Sequence, residues 1–98
     1  MEKGDDVWAV VKNYNGRDIP WQLKRVKITL VLSSSSFQIQ WALYTKTKSA
    51  VYPGSRLYIE RPSDDEIANN SNEPEEVQRQ FSEAVLERKK SNSKAFKF

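Results

Sequence analysis

Apolar and polar residues alternate along most of the first sixty positions, and a period of two predicts strands. Val7, Ala9 and Val11 share one face of a short run, with Trp8 and Val10 on the other. Apolar side chains on both faces predict burial on both sides, or an edge covered by another element. Asn13-Tyr14-Asn15-Gly16 then breaks the run, since Asn-Gly tolerates the positive φ of a tight turn. In the next run Val26, Ile28, Leu30 and Leu32 alternate with Lys27 and Thr29, a half-buried strand. Trp21 and Leu23 fall in the opposite phase, which predicts a bulge or bend near Lys24-Arg25. The serines at 33–36 predict a hairpin loop.

Phe37, Ile39, Trp41 and Leu43 alternate with Gln38, Gln40, Ala42 and Tyr44, and the strand is expected to run on into Thr45-Lys46-Thr47. Tyr52-Pro53-Gly54-Ser55 reads as a turn, with proline and glycine at the positions that favour them. Residues 56–60 predict a fourth strand with Leu57 and Ile59 inward, closed by Pro62. The period then changes. Val77, Phe81, Ala84 and Val85, at i, i+4, i+7 and i+8, form one stripe of an amphipathic helix. Pro74 suits its first position, and Arg88, Lys89 and Lys90 suit its C-terminal end.

The pattern predicts an α+β fold: a small antiparallel β-sheet of about four strands, open or curled into a partial barrel, packed by one C-terminal amphipathic helix. The helix is expected to cover a face made by Val26, Ile28, Leu30, Phe37, Ile39, Trp41, Leu43, Leu57 and Ile59. Ninety-eight residues match one domain. Residues 1–90 are assigned to it, and 91–98 to a basic, flexible tail. So small a core leaves a thin margin over chain entropy, which makes a homodimer the expected state.

Composition narrows the function. Hydrophobic residues at 38% and charged residues at 30% are near globular usage, so a folded chain is expected. There is no cysteine, which rules out disulfides, thiolate metal sites and a cysteine nucleophile, and fits a reducing compartment. The start lacks the apolar run of a secretory signal, and no transmembrane segment is expected, so the location is read as cytoplasmic or nuclear. There is also no histidine, the usual proton-transfer group near neutral pH and the commonest metal ligand. Asp64-Asp65-Glu66 lacks a calcium-loop spacing, and the serine run lacks a nucleophile motif. Gly4, Gly16 and Gly54 form no phosphate-binding loop. No enzyme, metal, cofactor or catalytic residue is expected.

Charge points to a partner. Residues 1–61 hold ten bases and five acids, whereas residues 62–87 hold eight acids and one base. Lys24, Arg25, Lys27, Lys46, Lys48, Arg56 and Arg61 lie on or beside the strands, and Tyr44 and Tyr58 fall out of phase with the core positions. A basic sheet face bearing aromatics is a surface on which single-stranded RNA or DNA stacks. Lys24, Arg25, Lys27, Lys46, Lys48 and Arg56 are the candidate phosphate contacts, and Tyr44 and Tyr58 the candidate stacking residues.

The rival reading is a protein-protein or self-assembly module, such as a small viral accessory or structural protein. Its contacts would be Trp21, an exposed anchor, with Arg88, Lys89, Lys90, Phe96 and Phe98. A basic, aromatic end also suits an anionic membrane surface or a neighbouring sheet edge. In topology, four strands followed by a helix resemble single-strand-binding transcription coactivator domains and, more loosely, pleckstrin-homology-like modules. Topology alone assigns no function.

Overall fold

The computed structural model describes residues 1–12, 20–43 and 45–95, with the side chains of Leu43 and residues 90–95 outside the description. The fold is α+β. The chain divides into two compact units, Met1–Arg61 and Pro62–Phe98. The first holds five strands: β1 (Asp6–Lys12), β2 (Trp21–Val31), β3 (Ser36–Leu43), β4 (Lys46–Pro53) and β5 (Leu57–Tyr58). They form one antiparallel sheet in the order β4-β3-β2-β1-β5.

That order forces the sheet to curl. The edge strands β4 and β5 are joined only by a 3-10 turn, Gly54–Arg56. Five strands laid flat at about 4.8 Å spacing span roughly 19 Å. The four Cα steps from Pro53 to Leu57 reach at most about 14 Å when fully extended, and less as a 3-10 turn. The edges therefore approach each other, and the Tyr52 hydroxyl on β4 donates to the Val10 carbonyl on β1 at 2.8 Å. The sheet is a partial barrel that does not close: β5 pairs with β1, not with β4.

Its inner face is the core. Val7, Ala9 and Val11 meet Val26, Ile28, Phe37, Ile39, Trp41, Tyr52 and Leu57 in one apolar cluster. Fully burying such side chains stabilises by about 1.5–3 kcal/mol each. Val10, on the opposite face of β1, is also fully buried, as apolar residues on both faces of that strand require. At the N-terminus, Gly4 adopts φ +94 and donates its amide to the Ile28 carbonyl at 2.7 Å. A left-handed backbone there favours glycine.

Several local expectations differ. The β1–β2 register runs unbroken from Asp6↔Lys27 to Lys12↔Trp21, so there is no bulge near Lys24-Arg25. The irregularity falls between Ile28 and Leu30, in the pairing with β3. A shifted register turns later side chains to the other face. Leu30 and Leu32, expected in the core, are accordingly exposed. Ile59 lies one residue past the two-residue strand β5 and is 76% exposed, so only Leu57 points inward there. The third run does not continue through Thr47. It turns at Thr45, and Lys46–Pro53 pairs back on β3 as a further strand. The Asn13–Gly16 turn lies outside the described residues.

The second unit holds α1 (Asp64–Asn69) and α2 (Glu75–Ala95). Ser63 caps α1, its hydroxyl accepting from the Glu66 amide at 3.2 Å, with Asp64, Asp65 and Glu66 suiting the positive end. Gln78 fastens the connecting loop by donating from Nε2 to the carbonyls of Asn70 and Glu73, at 2.8 and 2.9 Å. Arg88 of α2 forms an ion pair with Asp64 of α1. On α2, Val77 and Phe81 are buried and Ala84 and Val85 half-buried, the stripe expected of that helix, and Ile67 of α1 is buried as well. The backbone remains helical through residues 91–95, where the sequence reading places a tail. Among the described residues no helix is long and apolar enough to cross a membrane.

Candidate nucleic-acid interface

The strand pairings sort the basic residues onto two faces. Trp8 on β1 lies directly across from Arg25 on β2 and from Tyr58 on β5. Residues paired across antiparallel strands share a face, with Cβ atoms about 4.5–5.5 Å apart. Tyr58, Trp8 and Arg25 therefore form one row across three strands, on the outer face of the sheet. Two residues further along β2, Lys27 lies on the same face, opposite Asp6 on one side and Gln40 on the other. Arg61 adds a second guanidinium, its Cζ 5.3 Å from the Trp8 ring centroid. Trp8 and Tyr58 are half-buried; Arg25, Lys27 and Arg61 are exposed. Trp21 belongs to this face too, half-buried at the start of β2 and opposite Lys12.

Lys24 cannot join that row. In an unbulged strand consecutive side chains point to opposite faces, so Lys24 points inward while Arg25 points outward. Its Nζ donates to the Ala42 carbonyl on β3 at 3.2 Å. Lys46 and Lys48 pair with Leu43 and Trp41 and so take inner-face positions on edge strand β4. Arg56, in the 3-10 turn, is half-buried with its guanidinium 4.1 Å from the Tyr52 ring centroid. The single cationic face expected from sequence is thus divided. Arg25, Lys27 and Tyr58 share the outer face; Lys24, Lys46 and Lys48 share the inner one; Arg56 stands apart on Tyr52.

Tyr44, Phe96 and Phe98 lie outside the described residues, as does the Lys90 side chain. Arg88 is engaged with Asp64, and Lys89 is exposed on α2. Two residues of the outer row are not among the contacts expected from sequence: Trp8, its centre, and Arg61, which the sequence places only beside the strands. Alternation places Trp8 opposite Val7 and Ala9, but only the β1–β5 pairing sets it beside Tyr58. Arg61 follows the last strand, and no local periodicity fixes where its side chain goes.

Electrostatically the first unit is cationic, with ten basic and five acidic residues. Near the outer row the exceptions are Asp6, opposite Lys27, and Glu60 beside Arg61 in the chain. The row sets two half-buried aromatic rings beside the exposed guanidinium groups of Arg25 and Arg61, a combination that suits stacked bases and their phosphates. Among the described residues no acidic cluster is placed to hold a metal ion. Compared with family models, curated proteins and solved structures, the chain has no match.

Proposed function

We propose that this chain is a non-enzymatic nucleic-acid-binding domain that takes single-stranded RNA or DNA on the outer face of β5, β1 and β2. The observation that carries the reading is the Tyr58–Trp8–Arg25 row, with Arg61 over the indole and Lys27 beside it. Bases stack on Trp8 and Tyr58, while Arg25, Lys27 and Arg61 contact phosphates. Stacking is indifferent to base identity, and sequence preference is therefore weak. The reading requires no cofactor, and such a domain works in the cytoplasm or nucleus. A fluorescence-anisotropy titration with single-stranded and duplex oligonucleotides at two ionic strengths tests it. Single strands bind more tightly than duplex, and affinity falls steeply with salt. Absence of binding at low salt ends this reading.

A second observation favours an assembly module. Leu30, Gln38 and Val51 form an outer-face row across β2, β3 and β4, and Leu30, Val31, Leu32 and Val51 are all exposed. Grouped exposed apolar residues mark interaction surfaces more often than scattered ones do. On this reading the chain is a homodimer or a subunit of a larger structure, such as a viral accessory protein. Sedimentation velocity without nucleic acid tests this second reading: a monomer at every concentration removes it, whereas self-association is compatible with both readings and leaves the oligonucleotide titration to decide the first.

A further inference from the structure

The outer face carries a second row beside Tyr58, Trp8 and Arg25. Asp6 on β1 pairs with Lys27 on β2, Lys27 with Gln40 on β3, and Gln40 with Ser49 on β4. All four side chains are exposed. Asp6 and Trp8 stand two residues apart on one face of β1, as Lys27 and Arg25 do on β2. The two rows therefore run side by side, about 6.8 Å apart. The first is aromatic and basic, and the second is made wholly of hydrogen-bonding groups.

Asp6 is the anomaly of this second row. It is the only acid at an outer-face position of the paired strands, on a unit that is otherwise cationic. A carboxylate facing a polyanion repels it, so phosphate binding gives Asp6 no role. Nor does an ion pair account for it. Its Cβ lies about 4.5–5.5 Å from that of Lys27 by cross-strand placement, yet among the described residues neither side chain has a salt-bridge partner. An exposed pair of this kind would in any case contribute little to stability.

We propose that Asp6, with Lys27 beside it, recognises the edge of a guanine base stacked on Trp8. The inference rests on the single-strand reading of the outer face, and gives its weak sequence preference one position and one direction. The half-width of a purine together with one hydrogen bond of about 2.9 Å matches the step from Trp8 to Asp6. A carboxylate only accepts, through two oxygens side by side. Guanine presents two adjacent donors on its Watson–Crick edge, N1–H and the 2-amino group, with the acceptor O6 next to them. The two donors meet both Asp6 oxygens, charge-assisted and bidentate. The Lys27 ammonium has three donors, enough to meet O6 and a phosphate together. On the same edge adenine and cytosine set a ring-nitrogen lone pair beside their amino group, and uracil sets carbonyls on both sides of its one N–H. Each gives the carboxylate one hydrogen bond and turns a lone pair towards it.

The test is a fluorescence-anisotropy titration of the full chain at low salt. The probes are a short oligouridylate and the same strand with its central base replaced by guanine, adenine, cytosine or hypoxanthine. The guanine strand binds at least about fivefold more tightly than the adenine, cytosine and all-uridine strands, the lower end of what one bidentate base contact supplies. Hypoxanthine keeps N1–H and O6 but lacks the 2-amino group, and binds more weakly than guanine. In Asp6→Ala the guanine preference disappears, while the all-uridine strand binds at least as tightly as it does to the wild type, because a carboxylate facing its phosphates is gone. A residue with a merely structural role would weaken every strand alike.

A guanine strand that binds no better than the adenine strand overturns the proposal, as does hypoxanthine equal to guanine. So does an Asp6→Ala protein that keeps the preference, or that loses affinity equally for all strands. Should that variant not fold, the comparison of guanine with hypoxanthine on the wild type decides. In each of these cases the strands still bind, and the outer-face reading stands. If no strand binds at low salt, that reading fails and the guanine contact fails with it.

Discussion

The hydroxyl of Tyr52 and the carbonyl of Val10 meet at 2.8 Å across the inside of the curled sheet, although their strands stand three places apart in the strand order. Strand β1 pairs with β5 only at Trp8 and Ala9, so Val10 lies just past the end of that ladder. Tyr52 takes the place of a strand there. Its ring also carries the Arg56 guanidinium on one face, which joins the 3-10 turn to the same seam.

Tyr52→Phe keeps the ring and the contact with Arg56 but leaves the Val10 carbonyl buried without this donor. An unsatisfied buried group costs about 1–3 kcal/mol. Urea unfolding is expected to show a lower midpoint with an unchanged slope, the signature of lost stability without altered compactness. An unaltered midpoint means that the seam contributes nothing to stability.

Ile28 and Ile59 separate the core from its apparent continuation. Ile28 is fully buried and belongs to the central cluster, whereas Ile59 is 76% exposed. Ile28→Ala is expected to destabilise by about 2–5 kcal/mol through lost burial and the cavity left behind. Ile59→Ala is expected to stay within about 0.5 kcal/mol. Thermal or urea unfolding of the two variants side by side checks this.

The contrast also marks what the sequence discloses. Where a strand sits against one uniform core, alternation is sufficient: Val7, Ala9 and Val11 face inward, as do Phe37, Ile39 and Trp41. The stripe of Val77 and Phe81 on α2 is equally plain, because helical period and burial agree. Alternation fails where pairing, not local pattern, decides. The shift between Ile28 and Leu30 depends on how β3 docks. Strand β4 begins Lys-Thr-Lys-Ser, because an edge strand tolerates lysines that blunt unwanted pairing, and so it carries a weak strand signal. For the candidate site, the phase of Lys27 and Tyr58 was legible, but the bulge expected beside Lys24 hid that Lys24 and Arg25 part company. The meeting of Trp8 with Tyr58 joins residues fifty positions apart, and no periodicity encodes that distance.

Helix α1 has only six residues, too few to persist on intrinsic propensity. Its capping contact therefore matters more than its length suggests. Ser63→Ala removes the acceptor of the Glu66 amide and is expected to cost about 0.5–2 kcal/mol. Amide exchange is the sensitive readout: the Glu66 amide speeds up, while amides of the β1–β2 ladder keep their protection. Equal exchange of Glu66 in both proteins rules out a stabilising cap.

For the outer face, charge and stacking give separable signatures. Trp8→Ala removes the middle of the Tyr58–Trp8–Arg25 row and is expected to weaken single-strand binding by about 1–3 kcal/mol, or roughly 5- to 150-fold. Its salt dependence stays near the wild-type slope, because no phosphate contact is lost. Arg25→Gln does the opposite: affinity falls, and the slope of log K against log salt becomes shallower by about 0.7, the value for one phosphate contact on a single strand. Lys89→Gln, an equal change of charge on exposed α2, is the control. Should it weaken binding as much as Arg25→Gln, the attraction is one of net charge and the row has no special part in it. Should Trp8→Ala change the slope but not the affinity at low salt, the indole is not a stacking platform. The pair of variants, measured by anisotropy at several salt concentrations, thus assigns each side chain its own physical role.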